Sequence, residues 1–271
     1  MRSSGPLILI TGSSDGIGLE TARQLARHGA DVILHGRRPD RVLAARQAVE
    51  ALCGRTIPEP IVADLSSLSS ASGIAFELAR REVFPEILIN NAGVFAKQLE
   101  LSPDGIELSM AVNHFAHFVL TMSLLDQPGC RLRRIINISS IAHNRGRLDW
   151  DDLDAKDRFE GYAAYANSKL ANVLFAYELA KRLVGTRVTS NALHPGVITT
   201  KLLWNGFGSR GDSLERGAAT SVKLALDASL AGVSGKYFDN EREARSSPAS
   251  HDPAAMTRLW EISAERTGAS V

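Results

Sequence analysis

Six short apolar runs, at residues 7–11, 31–35, 60–63, 86–90, 133–139 and 187–193, alternate with longer stretches of helical periodicity. This alternation restricts the fold more than any other feature of the chain. The runs are rich in Val, Ile and Leu without clean polar alternation, as strands covered on both faces require. Amphipathic segments such as 17–28, 42–52 and 67–80 lie between them. Strand–helix–strand repetition implies right-handed crossovers and a doubly wound parallel sheet, hence an α/β fold of three layers, α/β/α. A further short strand is expected at 235–239 and a helix at 253–266. With 271 residues, 44% of them hydrophobic, the chain is expected to form a single domain over 1–271.

One stretch breaks the rhythm. Residues 144–160, NRGRLDWDDLDAKDRFE, are polar and acidic and fall between a strand and a helix. They read either as a solvated insertion or as a border of a ligand cleft, since ligands in open α/β sheets bind at the carboxyl ends of strands. Trp150 and Phe159 within them share that ambiguity. The glycine-rich segment 201–213, with Trp204 and Phe207, reads either as an apolar loop anchor or as a mobile substrate lid.

The remaining composition mainly excludes. A formal net charge of +1 gives no reason to expect nucleic acid or an anionic membrane as partner. The apolar run at 7–10 is too short for a signal peptide or a membrane anchor, so a cytoplasmic protein is expected. Cys53 and Cys130 lack metal-ligand spacing and suggest no disulfide framework. His114, His117, His143 and His194 are scattered over different elements, and structural or surface roles are expected for them; no metal site is expected.

The first apolar run leads directly into Thr11-Gly12-Ser13-Ser14-Asp15-Gly16-Ile17-Gly18, and a helix follows. Gly12 permits a tight turn, Gly16 lets backbone approach a pyrophosphate, and Gly18 lets the helix pack on the sheet. N–H groups at the helix start then face negative phosphate. Strand, turn and helix in this order point to a dinucleotide. At the end of the second strand, His35-Gly36-Arg37-Arg38 stands where an NAD site usually has a carboxylate for the ribose 2′-hydroxyl. Guanidinium groups pair with phosphate, which favours NADP(H) with NAD(H) still possible. The arginines could equally be exposed loop charges, and Asp40 lies close enough to temper them.

Tyr165 and Lys169 are four residues apart on an expected helix and share one face. A free phenol, with pKa near ~10, shuttles protons poorly at neutral pH. A neighbouring cation favours phenolate and would let Tyr165 exchange a proton with a carbonyl or alcohol oxygen. Such a pair alone is common. Here the strand 133–139 also ends in Asn137-Ile138-Ser139-Ser140, where a hydroxyl could meet the substrate oxygen or merely close a turn. Asn90-Asn91-Ala92-Gly93 closes the fourth strand, and Asn113 sits in an apolar helix that disfavours it unless it finds a partner.

Taken together, TGxxxGxG, Asp64-Leu65, NNAG, Asn113, NISS, YxxxK and Pro195-Gly196-Val197-Ile198-Thr199-Thr200 resemble the short-chain dehydrogenase/reductase family over nearly the whole chain. The resemblance implies a Rossmann fold and carbonyl–alcohol interconversion by hydride transfer. It makes Tyr165 the acid/base and Lys169 the group that lowers its pKa and holds the nicotinamide ribose. It makes Ser140 the residue that orients the substrate oxygen and Asn113 the support of a water-mediated relay behind Lys169. Cofactor contacts are implied for Gly12, Ser14, Asp15, Gly16, Ile17, Gly18, Arg37, Arg38, Asp64, Leu65, Asn91, Ala92, Gly93, Pro195, Gly196, Ile198 and Thr200. Asp64 and Leu65 would border adenine, Ile198 would meet the carboxamide, and Thr200 the phosphate side.

The phrases VNHFAHFVLT, SKLANVLFAYELAKRL, LHPGVITTKL and SGKYFDN resemble the retinol-dehydrogenase-like branch. That branch often carries an N-terminal anchor, which is not expected here, and Asp15 lies in the phosphate turn. The expected substrate is therefore a general lipophilic ketone or aldehyde, with a homodimer or homotetramer as assembly. Two other functions fit the same residues: an NADP(H) sensor without turnover, and an enzyme acting on sugar nucleotides. The intact Ser140, Tyr165, Lys169 and Asn113 argue against the first. The second usually needs a larger C-terminal substrate domain.

Overall fold

A computed structural model describes residues 5–200, 202 and 211–269. Seven parallel strands, β1 Leu7–Ile10, β2 Asp31–Gly36, β3 Ile61–Val62, β4 Ile87–Asn90, β5 Arg134–Ile138, β6 Thr189–His194 and β7 Tyr237–Asp239, form one sheet with the antiparallel β8 Arg242–Ala244. The order is β3-β2-β1-β4-β5-β6-β7-β8. The chain reverses direction across the sheet between β1 and β4, the point where a doubly wound fold opens a crevice.

Both faces are covered, which explains the unbroken apolar runs. Leu9, Ile33, Leu88 and Ile135 pack on one side against Phe115, Phe118, Leu174, Phe175 and Trp260. Their neighbours Ile8, Ile10, Val32, Ile87, Ile89 and Ile136 point the other way, onto Leu25, Val42, Val49 and Leu224. The covering helices are α1 Gly16–Arg27, α2 Pro39–Cys53, α3 Leu68–Arg80, α4 Leu108–Met110, α5 Ala116–Leu125, α6 Gly161–Arg182, α7 Leu214–Leu226 and α8 Pro253–Thr267. Each buried Ile or Leu contributes roughly 1.5–3 kcal/mol. The apolar stretch Leu108–Leu125, long enough to cross a membrane, is mostly buried in this core.

The structure shortens several expected strands. Thr11, Ala63 and Ser139 lie past the ends of β1, β3 and β5, because there the backbone leaves the ladder to form the site loops. The sheet is not wholly parallel: β8, which has no apolar run to signal it, pairs antiparallel with β7 at the edge. It is three residues long and mostly exposed. A two-residue hairpin, Asn240 and Glu241 at φ 47° and 62°, sets it against β7, as type I′ geometry requires. Its charged Arg242 and Glu243 leave an edge unattractive to further strands.

The acidic stretch packs on α8. Asp154 accepts from Arg266 at 2.8 Å, and the Arg258 guanidinium lies 5.1 Å from the Trp150 ring. None of residues 144–160 borders the cavity described below. The carboxylate of Glu160 caps α6 by accepting from the amides of Tyr162 and Ala163, so this stretch ends by fixing the helix that carries Tyr165. Trp204, Phe207 and most of the 201–213 segment lie outside the described residues.

Candidate active site

A cavity of about 1080 Å³ opens along the carboxyl ends of β1, β2, β4, β5 and β6. Of the sequence-predicted residues, all but Arg38 and Asn113 line it.

The glycine turn and the NNAG segment form one hydrogen-bonded unit. The Thr11 hydroxyl oxygen accepts from the amides of Asn91 and Ala92, both at 2.9 Å. The Asn91 side chain donates back to the carbonyls of Thr11 at 2.8 Å and Gly12 at 3.2 Å. Gly12 and Gly16 take φ of 63° and 57°, where a side chain is strained. A Cβ on Gly18 would stand 2.4 Å from Asn91 Nδ2 and 2.5 Å from the Gly12 carbonyl. A Cβ on Gly93 would stand 3.4 Å from Lys169 Nζ. These glycines keep open a groove that fits a dinucleotide laid across the start of α1. Asp15 caps α1, its carboxylate accepting from Gly16 N at 2.8 Å, so this acid is spent on the helix terminus.

His35 is a contact that sequence reading passed over. Its Nδ1 accepts from Gly12 N at 3.0 Å, which leaves Nε2 to donate to the Ala63 carbonyl at 3.1 Å. It thereby ties the phosphate turn to the end of β3. Burial pushes its pKa down to about 4, so the ring is neutral.

The two arginines diverge. Arg37 borders the cavity. Arg38 turns outward and donates to both carboxylate oxygens of Asp40, at 2.7 and 3.1 Å. Its expected cofactor contact is corrected accordingly, since a guanidinium held in that fork is not aimed at the cavity. Asp64 and Leu65 line the same end, and Pro195, Gly196, Ile198 and Thr200 line the opposite wall.

At the centre, α6 is docked on the end of β5. The Ser139 hydroxyl donates to the Lys169 carbonyl at 2.7 Å, and Lys169 Nζ and Asn172 Nδ2 donate to the Ile138 carbonyl at 3.1 and 3.0 Å. This brings Tyr165 beside Ser140, whose hydroxyl favours the phenolate. The Phe95 ring packs on Tyr165 at 5.6 Å between centroids.

Asn113 lies behind this wall in a π-helical turn, Ala111–Phe115, an irregularity frequent at functional sites. The partner that its mid-helix position demanded is Val94. Nδ2 donates to the Val94 carbonyl at 3.0 Å and Oδ1 accepts from its amide at 2.8 Å. The second Nδ2 hydrogen goes to the Ser168 hydroxyl at 2.9 Å. With its side chain so committed, Asn113 braces the segment after Gly93, and only its main-chain carbonyl, which takes His117 Nδ1, is left for a relay.

The electrostatics depart from expectation in one respect. Burial raises the Tyr165 phenol to about 12 despite the Ser140 hydroxyl. Burial also lowers Lys169 to about 8. Desolvation disfavours both charged forms, with the ammonium 5.7 Å from the phenol ring centroid. The Tyr165 phenol is therefore neutral. Lys169 keeps its charge only below about pH 8.

Comparison with known proteins agrees with this geometry. Residues 6–208 match the family model for short chain dehydrogenases. The chain belongs to the short-chain dehydrogenase family. It is 40% identical to human retinol dehydrogenase 13, covering 97% of this chain and 85% of that protein. It is 38% identical to human retinol dehydrogenase 12, covering 97% and 87%. Its place is in the retinol-dehydrogenase-like branch, and it is an NAD(P)-dependent oxidoreductase of CH–OH and C=O groups. Among solved structures, an uncharacterised protein from Mycobacterium paratuberculosis superposes with a TM-score of 0.83 at 31% identity, over 100% of this chain and 96% of that one. A short-chain dehydrogenase from Burkholderia cenocepacia in complex with NADP gives 0.68 at 25% identity, over 88% and 97%.

Proposed function

We propose that this short-chain dehydrogenase reduces a lipophilic ketone or aldehyde with NADPH, or oxidises the corresponding alcohol in reverse. The observation that carries the reading is the composition of the cavity around Ser140 and Tyr165. Besides polar groups that include Lys169, His194 and the Tyr162 phenol, the wall around them is built from apolar side chains, among them Val94, Leu108, Val112, Ile141, Val197 and Leu202. Such a wall favours a hydrophobic body with one oxygen to place. The retinol dehydrogenase relatives act, by name, on a molecule of that kind.

A nicotinamide held in this groove would supply or accept the hydride. The protein does the rest. The Ser140 hydroxyl orients the carbonyl oxygen, and the neutral Tyr165 phenol donates the proton to it. Lys169 holds positive charge beside the phenolate that results. For the nucleotide, the absence of a carboxylate at the β2 tip and the presence of Arg37 on the cavity wall favour a 2′-phosphate.

The first test follows nicotinamide absorbance with NADPH and NADH against a panel of lipophilic ketones and aldehydes. NADPH-dependent turnover supports the reading. NADPH binding without turnover across the panel would favour a sensor instead. Arg37→Ala is expected to raise KM for NADPH by about tenfold, the low end for a charge-assisted pair because the residue is exposed, while KM for NADH stays put. An equal change for both cofactors would remove Arg37 from the phosphate site.

The lowered Lys169 pKa has a signed consequence. As pH rises through about 8 the ammonium loses its proton and its support of the phenolate. Reductive kcat/KM is therefore expected to fall on the alkaline side with an apparent pKa near 8. A pH profile flat to roughly pH 10, the ordinary lysine range, would show that burial does not control this group.

A further inference from the structure

We propose that His143 and His194 are positioning residues that clamp the Ser140–Ile141 peptide group from both edges and thereby aim the Ser140 hydroxyl. The inference rests on the proposed role of Ser140.

On one edge, His143 Nδ1 lies 2.6 Å from the Ser140 carbonyl oxygen. The other nitrogen of the same ring, Nε2, accepts from Ser247 N at 3.0 Å, so the proton is on Nδ1 and is donated to that carbonyl. On the opposite edge, the Ile141 amide donates to His194 Nδ1 at 3.2 Å. One peptide plane is thus held by a donor on its oxygen and an acceptor on its nitrogen. Both rings are buried, and burial is the largest influence on each, favouring the neutral form that these bonds need.

His143 lies in the 3-10 turn that Ser140 caps, and its backbone N donates to the same carbonyl at 3.0 Å, while the other anchors come from distant elements. His194 ends β6. His143 packs its ring 4.9 Å from that of Tyr237 on β7 and takes its second hydrogen bond from the loop before α8. Ser140 lies just beyond a strand end as the extended cap of a 3-10 turn, where the turn's own backbone bond holds its carbonyl but, among the described residues, only His194 holds the Ile141 amide. Its own hydroxyl accepts from Ala142 N at 3.2 Å, so a rotation of the peptide would move that oxygen and with it the partner of Tyr165. The clamp removes this freedom. It also accounts for two histidines beside an active site whose chemistry uses neither.

The test compares His194→Leu, which removes the acceptor, with His194→Asn, whose Oδ1 can stand where Nδ1 stood; His194→Ala replaces the Leu variant should that fail to fold. Two readouts are taken: kcat with KM for NADPH, and hydrogen exchange of the Ile141 amide. The expected result is a loss in kcat of about tenfold with KM for NADPH nearly unchanged, and faster exchange at Ile141, both restored in the Asn variant. In a Ser140→Ala background the His194→Leu loss should shrink to about twofold or less, since the two act through one group. Unchanged Ile141 exchange, or a full-sized additive loss in that background, overturns the clamp. Unchanged kcat in Ser140→Ala alone overturns the reading of Ser140, and the catalytic use of the clamp with it, whatever the exchange shows.

Discussion

Tyr165→Phe is expected to lower reductive kcat by roughly 10²–10⁴-fold, the range for loss of a positioned general acid. NADPH affinity should stay within about twofold, because the substitution removes one oxygen and leaves a ring that still packs on Phe95. The reason for so large an effect is the site's poverty in alternatives. Ser140 can orient the substrate oxygen, but its hydroxyl is a far weaker acid, and Lys169 is turned to the Ile138 carbonyl. Tyr162→Phe makes the comparison variant, since it removes a phenol oxygen from the same cavity at a more exposed position and should cost far less. Single-turnover kinetics separate the proton step from release. A Tyr165→Phe enzyme with more than about a tenth of normal turnover would sink the assignment of the proton donor.

Gly18→Ala is expected to damage stability and cofactor binding together. The new Cβ meets Asn91 Nδ2 at 2.4 Å and the Gly12 carbonyl at 2.5 Å. Neither neighbour is the free end of a flexible chain. Asn91 is held by two carbonyls, and Gly12 O is backbone in the phosphate turn. Overpacking of this kind costs about 1–3 kcal/mol, which in a chain of this length lowers Tm by roughly 2–12 °C. The thermal shift given by saturating NADPH should shrink as well, because the displaced atoms form the groove. Gly73→Ala in α3, with nothing within 4 Å of its Cβ, should leave both readouts intact or raise Tm slightly. Equal behaviour of the two variants would mean that the close approach at Gly18 is not what keeps the turn open.

Much of this molecule was legible in one dimension where the chemistry is local. The six apolar runs implied β1 to β6, because a strand buried on both faces is mostly apolar. The glycines before α1 implied a turn that backbone alone can line. Tyr165 and Lys169, one helical turn apart, were bound to share a face. Asp40, two residues from Arg38, was near enough to compete for its guanidinium, and the structure shows that it does.

Other features depend on residues far apart in the chain. Asn113 needed a partner, and only folding showed it to be the backbone of Val94. The acidic stretch at 144–160 could border the cleft or lie elsewhere; Arg266 and Arg258, more than a hundred residues on, decided for α8. β8 carries no apolar signal and exists because a two-residue turn folds it onto β7. His35, His143 and His194 carry no motif of their own, yet each joins a site loop to a separate element.

The sequence by itself determined the layered fold, the phosphate turn and the side chains, Tyr165 and Lys169, that share one helical face at the centre of the cavity. These follow from periodicity, from the space a glycine leaves and from the acidity of a phenol. Only the tertiary structure decided which arginine faces the cavity, what holds Ser140, and how burial sets the protonation of Tyr165 and Lys169. Those outcomes are set by long-range hydrogen bonds and by exclusion of water, and neither exists until the sheet and its helices have closed on one another.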